Sequence, residues 1–381
     1  MAPTKIQQLG QMGQSIWFDY INRSMLESGK LKKLIKDGVR GMTSNPTIFN
    51  QAISTSADYD QRIRSLKSEG KSIFEIYDEL TVEDIKDATD AFRCVYEETS
   101  GLDGYVSLEI NPLLANKVEE QIQEGLRLFK KVDRPNLMIK VPCTKEGYVV
   151  IEELIASGVN VNATLIFSIS QYEETVKAYL RGLQRLSESS SDISQVKSVA
   201  SVFVSRIDAA VDKKIDAILS QDEVLEDQKF EFENLKGKSA VANSRLIFEK
   251  FKELFQSDEF KCLKEKGASI QRVLWASTGT KNPAYSDIKY VTELIHEPTI
   301  NTLPEKTLMA FRDHGQVQSE SPELWSRERN QEIISNLKSF GIDIDEVCQN
   351  LLDDGVRAFN KAFESLLQSI EEKSETLTLK V

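Results

Sequence analysis

The stretch NLMIKVP, residues 136–142, decides how this chain is read. Leu137, Met138, Ile139 and Val141 form an apolar run that reads as a buried strand. Lys140 interrupts it, and an ammonium group is rarely taken out of water without a partner. The strand therefore raises two questions: which sheet it belongs to, and what keeps a lysine inside it.

Seven other segments share its character: SIWFDY (15–20), RGMTSNP (40–46), GYVSLEI (104–110), VNVNATLIF (159–167), SVASVFVSR (198–206), RVLWAST (272–278) and TINTLP (299–304). Amphipathic stretches separate them. In YEETVKAYLRGLQRLS (172–187), Val176, Tyr179, Leu180, Leu183 and Leu186 recur on one helical face. Strands alternating with helices predict a parallel sheet covered by helices, an α/β fold. Eight strands fit a closed (β/α)8 TIM barrel, which commonly occupies about 250 residues. A doubly wound open sheet satisfies the same pattern and stays open as the alternative.

The surplus length has places to go. Residues 47–103, including VEDIKDATDAFRCVYEE (82–98), read as a helical insertion after the second strand. Residues 207–270 read as a second one, with a helix at SRLIFEKFKELF (244–255) after the polar loop ENLKGKS (233–239). Residues 322–372 read as C-terminal helices, with DDGVR (353–357) as the start of the last, and SESSSD (187–192) as an exposed loop. With no internal repeat or linker, residues 1–381 are expected to form a single barrel domain.

The 40% hydrophobic content supports a substantial core, and the net charge of −12 argues against nucleic acid as a general partner. Cys94, Cys143, Cys262 and Cys348 lie far apart, and the histidines are only His296 and His314. No zinc spacing or disulfide framework is present, so a reducing cytoplasm is expected and Cys143 reads as a buried structural thiol. The opening MAPTKIQQLGQMGQ lacks the apolar core of a signal peptide, and no run reaches the roughly 18 apolar residues of a membrane span. No membrane partner is expected.

Polar residues fall late in the strands: Asp19, Thr43, Asn45, Glu109, Lys140, Asn162, Thr164, Ser201, Arg206 and Ser277. In a barrel, late positions converge on one mouth, where such enzymes do chemistry. Lys140 then has three readings. It is a structural cation paired with Asp19 or Glu109, a snorkelling side chain, or a nucleophile whose amine burial keeps partly neutral. A neutral amine attacks a ketone and forms an iminium that accepts electrons when the neighbouring C–C bond breaks. Such chemistry needs a carboxylate base and an acid/base for dehydration, for which Asp19 and Glu109 are available.

WFDYINR (17–23), GMTSNPTIF (41–49), SLEINP (107–112), NLMIKVPCTKEG (136–147), VNVNATLIFS (159–168), SVFVSRID (201–208), LWASTGTKNPAY (274–285) and NTLPEKTL (301–308) together resemble the transaldolase family, in its longer-chain subgroup. The resemblance runs from about residue 10 to 370, with the motifs in order. It implies a class I aldolase-type barrel of the non-oxidative pentose phosphate pathway that needs no metal or organic cofactor. Such an enzyme moves a dihydroxyacetone unit from sedoheptulose 7-phosphate or fructose 6-phosphate to glyceraldehyde 3-phosphate or erythrose 4-phosphate. It further implies Lys140 as the Schiff-base lysine and Asp19 as the group handling the proton of C–C cleavage. Glu109 and Thr164 would hold the catalytic water. Asn45, Asn162 and Ser201 would bind substrate hydroxyls, with Thr43 beside them and Phe203 as an aromatic wall. Arg206 and Ser277 match phosphate-binding positions. Shorter family members carry a second arginine after that serine, whereas STGTKNP (277–283) offers Lys281. A fructose-6-phosphate aldolase that releases free dihydroxyacetone is the nearest rival, though a glutamine is expected there in place of Glu109. A non-catalytic barrel that binds sugar phosphates is the second rival, and a homodimer is the candidate assembly.

Overall fold

The computed structural model describes residues 2–190, 192–220, 226–318 and 321–378. Eight parallel strands follow one another around a closed barrel: β1 (Gln14–Asp19), β2 (Gly41–Thr43), β3 (Val106–Glu109), β4 (Leu137–Pro142), β5 (Val161–Ile166), β6 (Ser198–Phe203), β7 (Arg272–Ala276) and β8 (Thr299–Leu303). The ladder closes where β1 pairs with β8, Trp17 opposite Thr302, so the open-sheet alternative is excluded. Every expected strand is present. Outer helices cover the barrel, so β4, β5 and β6 are buried along their whole length, which is why they read as nearly continuous apolar runs.

Register places the chemistry. Glu109, Lys140 and Asn162 are successive neighbours across β3, β4 and β5, and Asp19 lies opposite Thr43 across β1 and β2. Neighbours in a parallel ladder point to the same face, so these five side chains share the barrel interior.

The helical regions depart from expectation in their boundaries. The insertion after β2 folds as Pro46–Thr55, Asp60–Ser68, Ile73–Ala91 and Arg93–Glu98. The stretch 82–98, expected as one helix, is divided at the fully buried Phe92, which caps both pieces. In the second insertion, Glu233–Leu235 of the expected polar loop close the helix Glu226–Leu235, and the helix expected from 244 begins at Ser239. Ser187–Ser189 of the expected exposed loop form the last turn of the helix Ile169–Ser189, while Ser191 lies outside the described residues.

The largest correction concerns DDGVR, which does not begin a helix but lies within one running from Ile344 to Thr378. Buried Cys348, Leu352, Phe359, Phe363 and Leu366 form a stripe that continues through it. Burying that stripe outweighs the roughly 1 kcal/mol that a mid-helix glycine costs. Gly355 is also where the helix crosses the barrel, since a Cβ there would lie 2.9 Å from Leu165 Cδ2 at the end of β5.

Two close fits fix the barrel ends. After β4 the chain turns straight into the helix Lys145–Ala156, whose first turn is capped by Thr144 Oγ1 accepting from Gly147 N. Gly147 has no room for a side chain, because a Cβ would lie 1.8 Å from the Pro142 carbonyl oxygen. At the opposite end, Arg272 and Asp103 form a buried ion pair (2.6 Å), with further hydrogen bonds from Ser15 and Trp17 to Asp103. Those bonds offset the desolvation of both charges, making this a structural plug.

Candidate active site

At the C-terminal mouth a cavity of about 210 Å³ is lined by Asp19, Thr43, Asn45, Lys140, Thr164, Ser201, Phe203, Arg206, Ser277 and Lys281. Glu109 and Asn162 stand immediately behind this wall. Glu109 reaches the cavity through Lys140, and Asn162 through Ser201, whose hydroxyl donates to Asn162 Oδ1 at 2.7 Å. A larger cavity, about 770 Å³, opens at the opposite end beside Ser15, Asp103 and Arg272. There the charged pair is already satisfied internally, whereas the mouth gathers polar groups with bonds still to make.

Lys140 lies at the centre. Its side chain is 5% exposed, with Nζ 3.2 Å from Glu109 Oε2 and donating to the Ser44 carbonyl at 3.1 Å. The paired-cation reading of Lys140 is therefore correct as geometry. It does not exclude the nucleophile reading, because the amine also lines the cavity. Phe359 from the C-terminal helix brings its ring centroid within 6.0 Å of Nζ.

Both carboxylates are unusual. Burial raises the pKa of Asp19 above its ordinary value, against the opposing pull of Lys140, the Thr43 hydroxyl and Lys281. Burial likewise raises Glu109, with Lys140 opposing and Asp19 reinforcing the shift. Thr43 donates to Asp19 Oδ1 at 2.6 Å, so its hydroxyl serves the carboxylate before any substrate. The Thr164 hydroxyl is buried and has no hydrogen-bond partner among the described residues, while Glu109 Oε2 is paired with the charge of Lys140 Nζ at 3.2 Å. A buried hydroxyl of that kind is costly unless something pairs with it.

Asn45 is half committed. Its side-chain oxygen accepts from Ile48 N at 3.1 Å and caps the helix Pro46–Thr55, leaving the NH2 group to offer hydrogens. Asn162 donates to Ser107 Oγ at 3.0 Å.

The outer rim is cationic. Arg206 lies in the first turn of the helix Ser205–Leu219, with its guanidinium 5.4 Å from the Phe203 ring centroid. Loss of surrounding water holds Arg206 below its ordinary pKa, and the same cause, with Arg206 itself, lowers Lys281. Two cations that repel each other at a cavity mouth raise the local positive potential there. Ser277 sits beside them with φ at 53°, a strained conformation of the kind that concentrates at functional sites.

Sequence reasoning missed several wall residues, Thr302 and Phe359 among them. Thr302 lies within an expected strand, where its polarity beside Leu303 was a usable signal. Phe359 comes from a helix far along the chain, and nothing local marks it as part of the mouth. Cys143 is fully buried and accepts a hydrogen bond from Thr175 at 3.2 Å, in keeping with a structural thiol. No group of His, Cys, Asp and Glu among the described residues is arranged to hold a metal ion.

Fold and site together define a barrel enzyme centred on a buried lysine at the C-terminal mouth. The chain belongs to the transaldolase/fructose-6-phosphate aldolase family, whose model matches residues 16–370. It is 45% identical to a Trichodesmium erythraeum protein named transaldolase, covering 99% of this chain and 100% of that one. A transaldolase of Saccharopolyspora erythraea is 44% identical over 97% of this chain and 98% of its own length. One from Mycobacterium tuberculosis is 41% identical over 97% and 96%.

Proposed function

We propose that the chain transfers a dihydroxyacetone unit between sugar phosphates through a Schiff base on Lys140. The observation that carries this reading is the placement of Lys140: a buried amine in the cavity wall, 3.2 Å from Glu109, with Asp19 lining the same cavity. The amine adds to the donor ketone, loses water and becomes an iminium. Asp19, as carboxylate, accepts the proton of the C4 hydroxyl while the C3–C4 bond breaks. The bonding electrons move into the iminium to give an enamine, and the aldose leaves. An acceptor aldehyde reverses these steps. Glu109, paired with Lys140, and Thr164, whose hydroxyl has no partner among the described residues, hold the water released and consumed at the iminium.

Asn45, Asn162 and Ser201 bind the hydroxyls of the three-carbon unit in this reading, and Arg206, Ser277 and Lys281 hold the phosphate. Arginine offers a planar fork to phosphate oxygens, and lysine a point charge. The donors are sedoheptulose 7-phosphate or fructose 6-phosphate, and the acceptors glyceraldehyde 3-phosphate or erythrose 4-phosphate. One apolar cluster extends from Ile6 to Leu377, which supports treating residues 1–381 as a single barrel domain. The four free thiols suit a reducing cytoplasm.

Transfer, rather than release of free dihydroxyacetone, is favoured by Glu109 and by the apolar rings of Phe203 and Phe359 in the wall of the same cavity as Lys140. The test is to incubate the enzyme with fructose 6-phosphate alone and then with erythrose 4-phosphate added. Transfer predicts sedoheptulose 7-phosphate on addition of acceptor and little free dihydroxyacetone before it. Steady release of dihydroxyacetone without acceptor would identify an aldolase instead.

A further inference from the structure

We infer that Thr302 is a positioning residue for Asp19, acting through the hydroxyl of Thr43 to decide which carboxylate oxygen receives the substrate proton. Thr43 Oγ1 lies 2.6 Å from Asp19 Oδ1 and 2.7 Å from Thr302 Oγ1. A hydroxyl has one hydrogen to give. When Asp19 is ionised it has none to offer, so Thr43 donates to Asp19 Oδ1. Thr43 must then accept from Thr302, which completes a directed chain from Thr302 through Thr43 to Asp19.

The arrangement has two consequences. Oδ1 of Asp19 is occupied by a charge-assisted hydrogen bond, leaving Oδ2 as the oxygen free to take a proton. The Thr43 hydroxyl is also held in one rotamer. Without Thr302 its oxygen lacks a donor and the hydroxyl loses a reason to point at the carboxylate. Thr302 is fully enclosed at 2% exposure, and its backbone is pinned as well, since Thr278 Oγ1 donates to the Thr302 carbonyl at 3.1 Å. Register explains why three strands meet here: Asp19 pairs with Thr43 across β1 and β2, while Thr302 of β8 flanks β1 on the other side.

The charged groups around Asp19 are Lys140 from β4, Lys281 from the loop after β7 and Glu109 from β3. The first two favour its ionised form and the third opposes it. The Thr43 hydrogen bond favours the ionised form too, so weakening it raises the pH at which Asp19 becomes a base.

This inference rests on the Schiff-base reading, and the experiment separates the two. The pH dependence of kcat/KM for transfer from fructose 6-phosphate is measured for the wild type, Thr302→Val and Thr302→Ser. Borohydride trapping on Lys140 is followed in parallel. Loss of the hydroxyl in Thr302→Val should move the acid limb to higher pH by roughly half to one unit, with roughly three- to tenfold lower kcat/KM below the limb. Trapping on Lys140 should persist, and Thr302→Ser should restore the wild-type limb. If the valine variant does not fold, Thr302→Ala removes the same hydroxyl with less bulk and should shift the limb in the same direction. An unmoved acid limb in the hydroxyl-free variant, or a serine variant that matches valine, would overturn the role of Thr302 while trapping still succeeds. Failure of trapping in the wild type would instead remove the Schiff-base reading on which the inference stands.

Discussion

Lys140 Nζ stands 3.2 Å from Glu109 Oε2, and the two residues are register partners on neighbouring strands. The carboxylate is thus fixed by the backbone of β3 rather than by a flexible loop. Glu109→Gln keeps the shape and removes the acid/base. Steady-state assays should show kcat reduced roughly 10²-fold or more, the usual weight of one positioned acid/base group. Activity within a few-fold of wild type would show that Glu109 serves only as a counter-ion.

Asp19 carries the pH dependence. Burial, the strongest influence, lifts its pKa above the ordinary 3.8, and only the carboxylate form accepts a proton. Turnover should therefore fall as pH drops through that raised value, with the acid limb above pH 3.8. For folding the sign is opposite: the native state binds this proton more tightly than the unfolded chain. Its contribution to stability is highest at low pH and declines as pH rises from 3.8 through the raised value. Asp19→Asn should lose roughly 10²–10⁴-fold in kcat yet show a Tm at about pH 7 no lower than wild type. A variant that is less stable under those conditions and still active would contradict both assignments.

Arg206 and Lys281 share the cavity rim, and each is held below its ordinary pKa mainly by loss of water. If they grip the phosphate, Arg206→Gln should raise KM for fructose 6-phosphate by roughly 10–100-fold, the weight of hydrogen bonds to a charged group. Lys281→Gln should raise it less. Neither should raise KM for unphosphorylated fructose, and a parallel rise with both sugars would refute the phosphate assignment.

Gly147 tests how rigidly Lys140 is mounted. A methyl group there would lie 1.8 Å from the backbone carbonyl oxygen of Pro142, two residues beyond Lys140. Gly147→Ala should cost about 3 kcal/mol or more in chemical denaturation. A change of less than about 1 kcal/mol would mean that the start of the helix Lys145–Ala156 moves freely.

The strands were legible because burial on both faces leaves a mark in every residue, as in Leu137–Val141. Asp19, Glu109 and Lys140 were legible because a charge set in or at the end of an apolar run costs desolvation that plain packing never recovers. Helix boundaries were not. Phe92 breaks a helix because the core takes its ring, and DDGVR stays helical because the stripe through Leu352 and Phe359 is buried across the barrel. Phe359 reaches Lys140 only through that crossing, and contacts between parts of the chain so far apart leave no local signal. From sequence Thr43 reads as a substrate-binding group, and its neighbours Asp19 and Thr302 become apparent only with the ladder closed.

The most direct test of Lys140 as the covalent centre is borohydride reduction in the presence of fructose 6-phosphate, followed by peptide mass mapping. A Schiff base at this position predicts a three-carbon adduct or an intact sugar phosphate adduct on the peptide carrying Lys140, and no adduct or turnover in Lys140→Ala. An unmodified Lys140 in an active enzyme, or an alanine variant that still transfers, would contradict it.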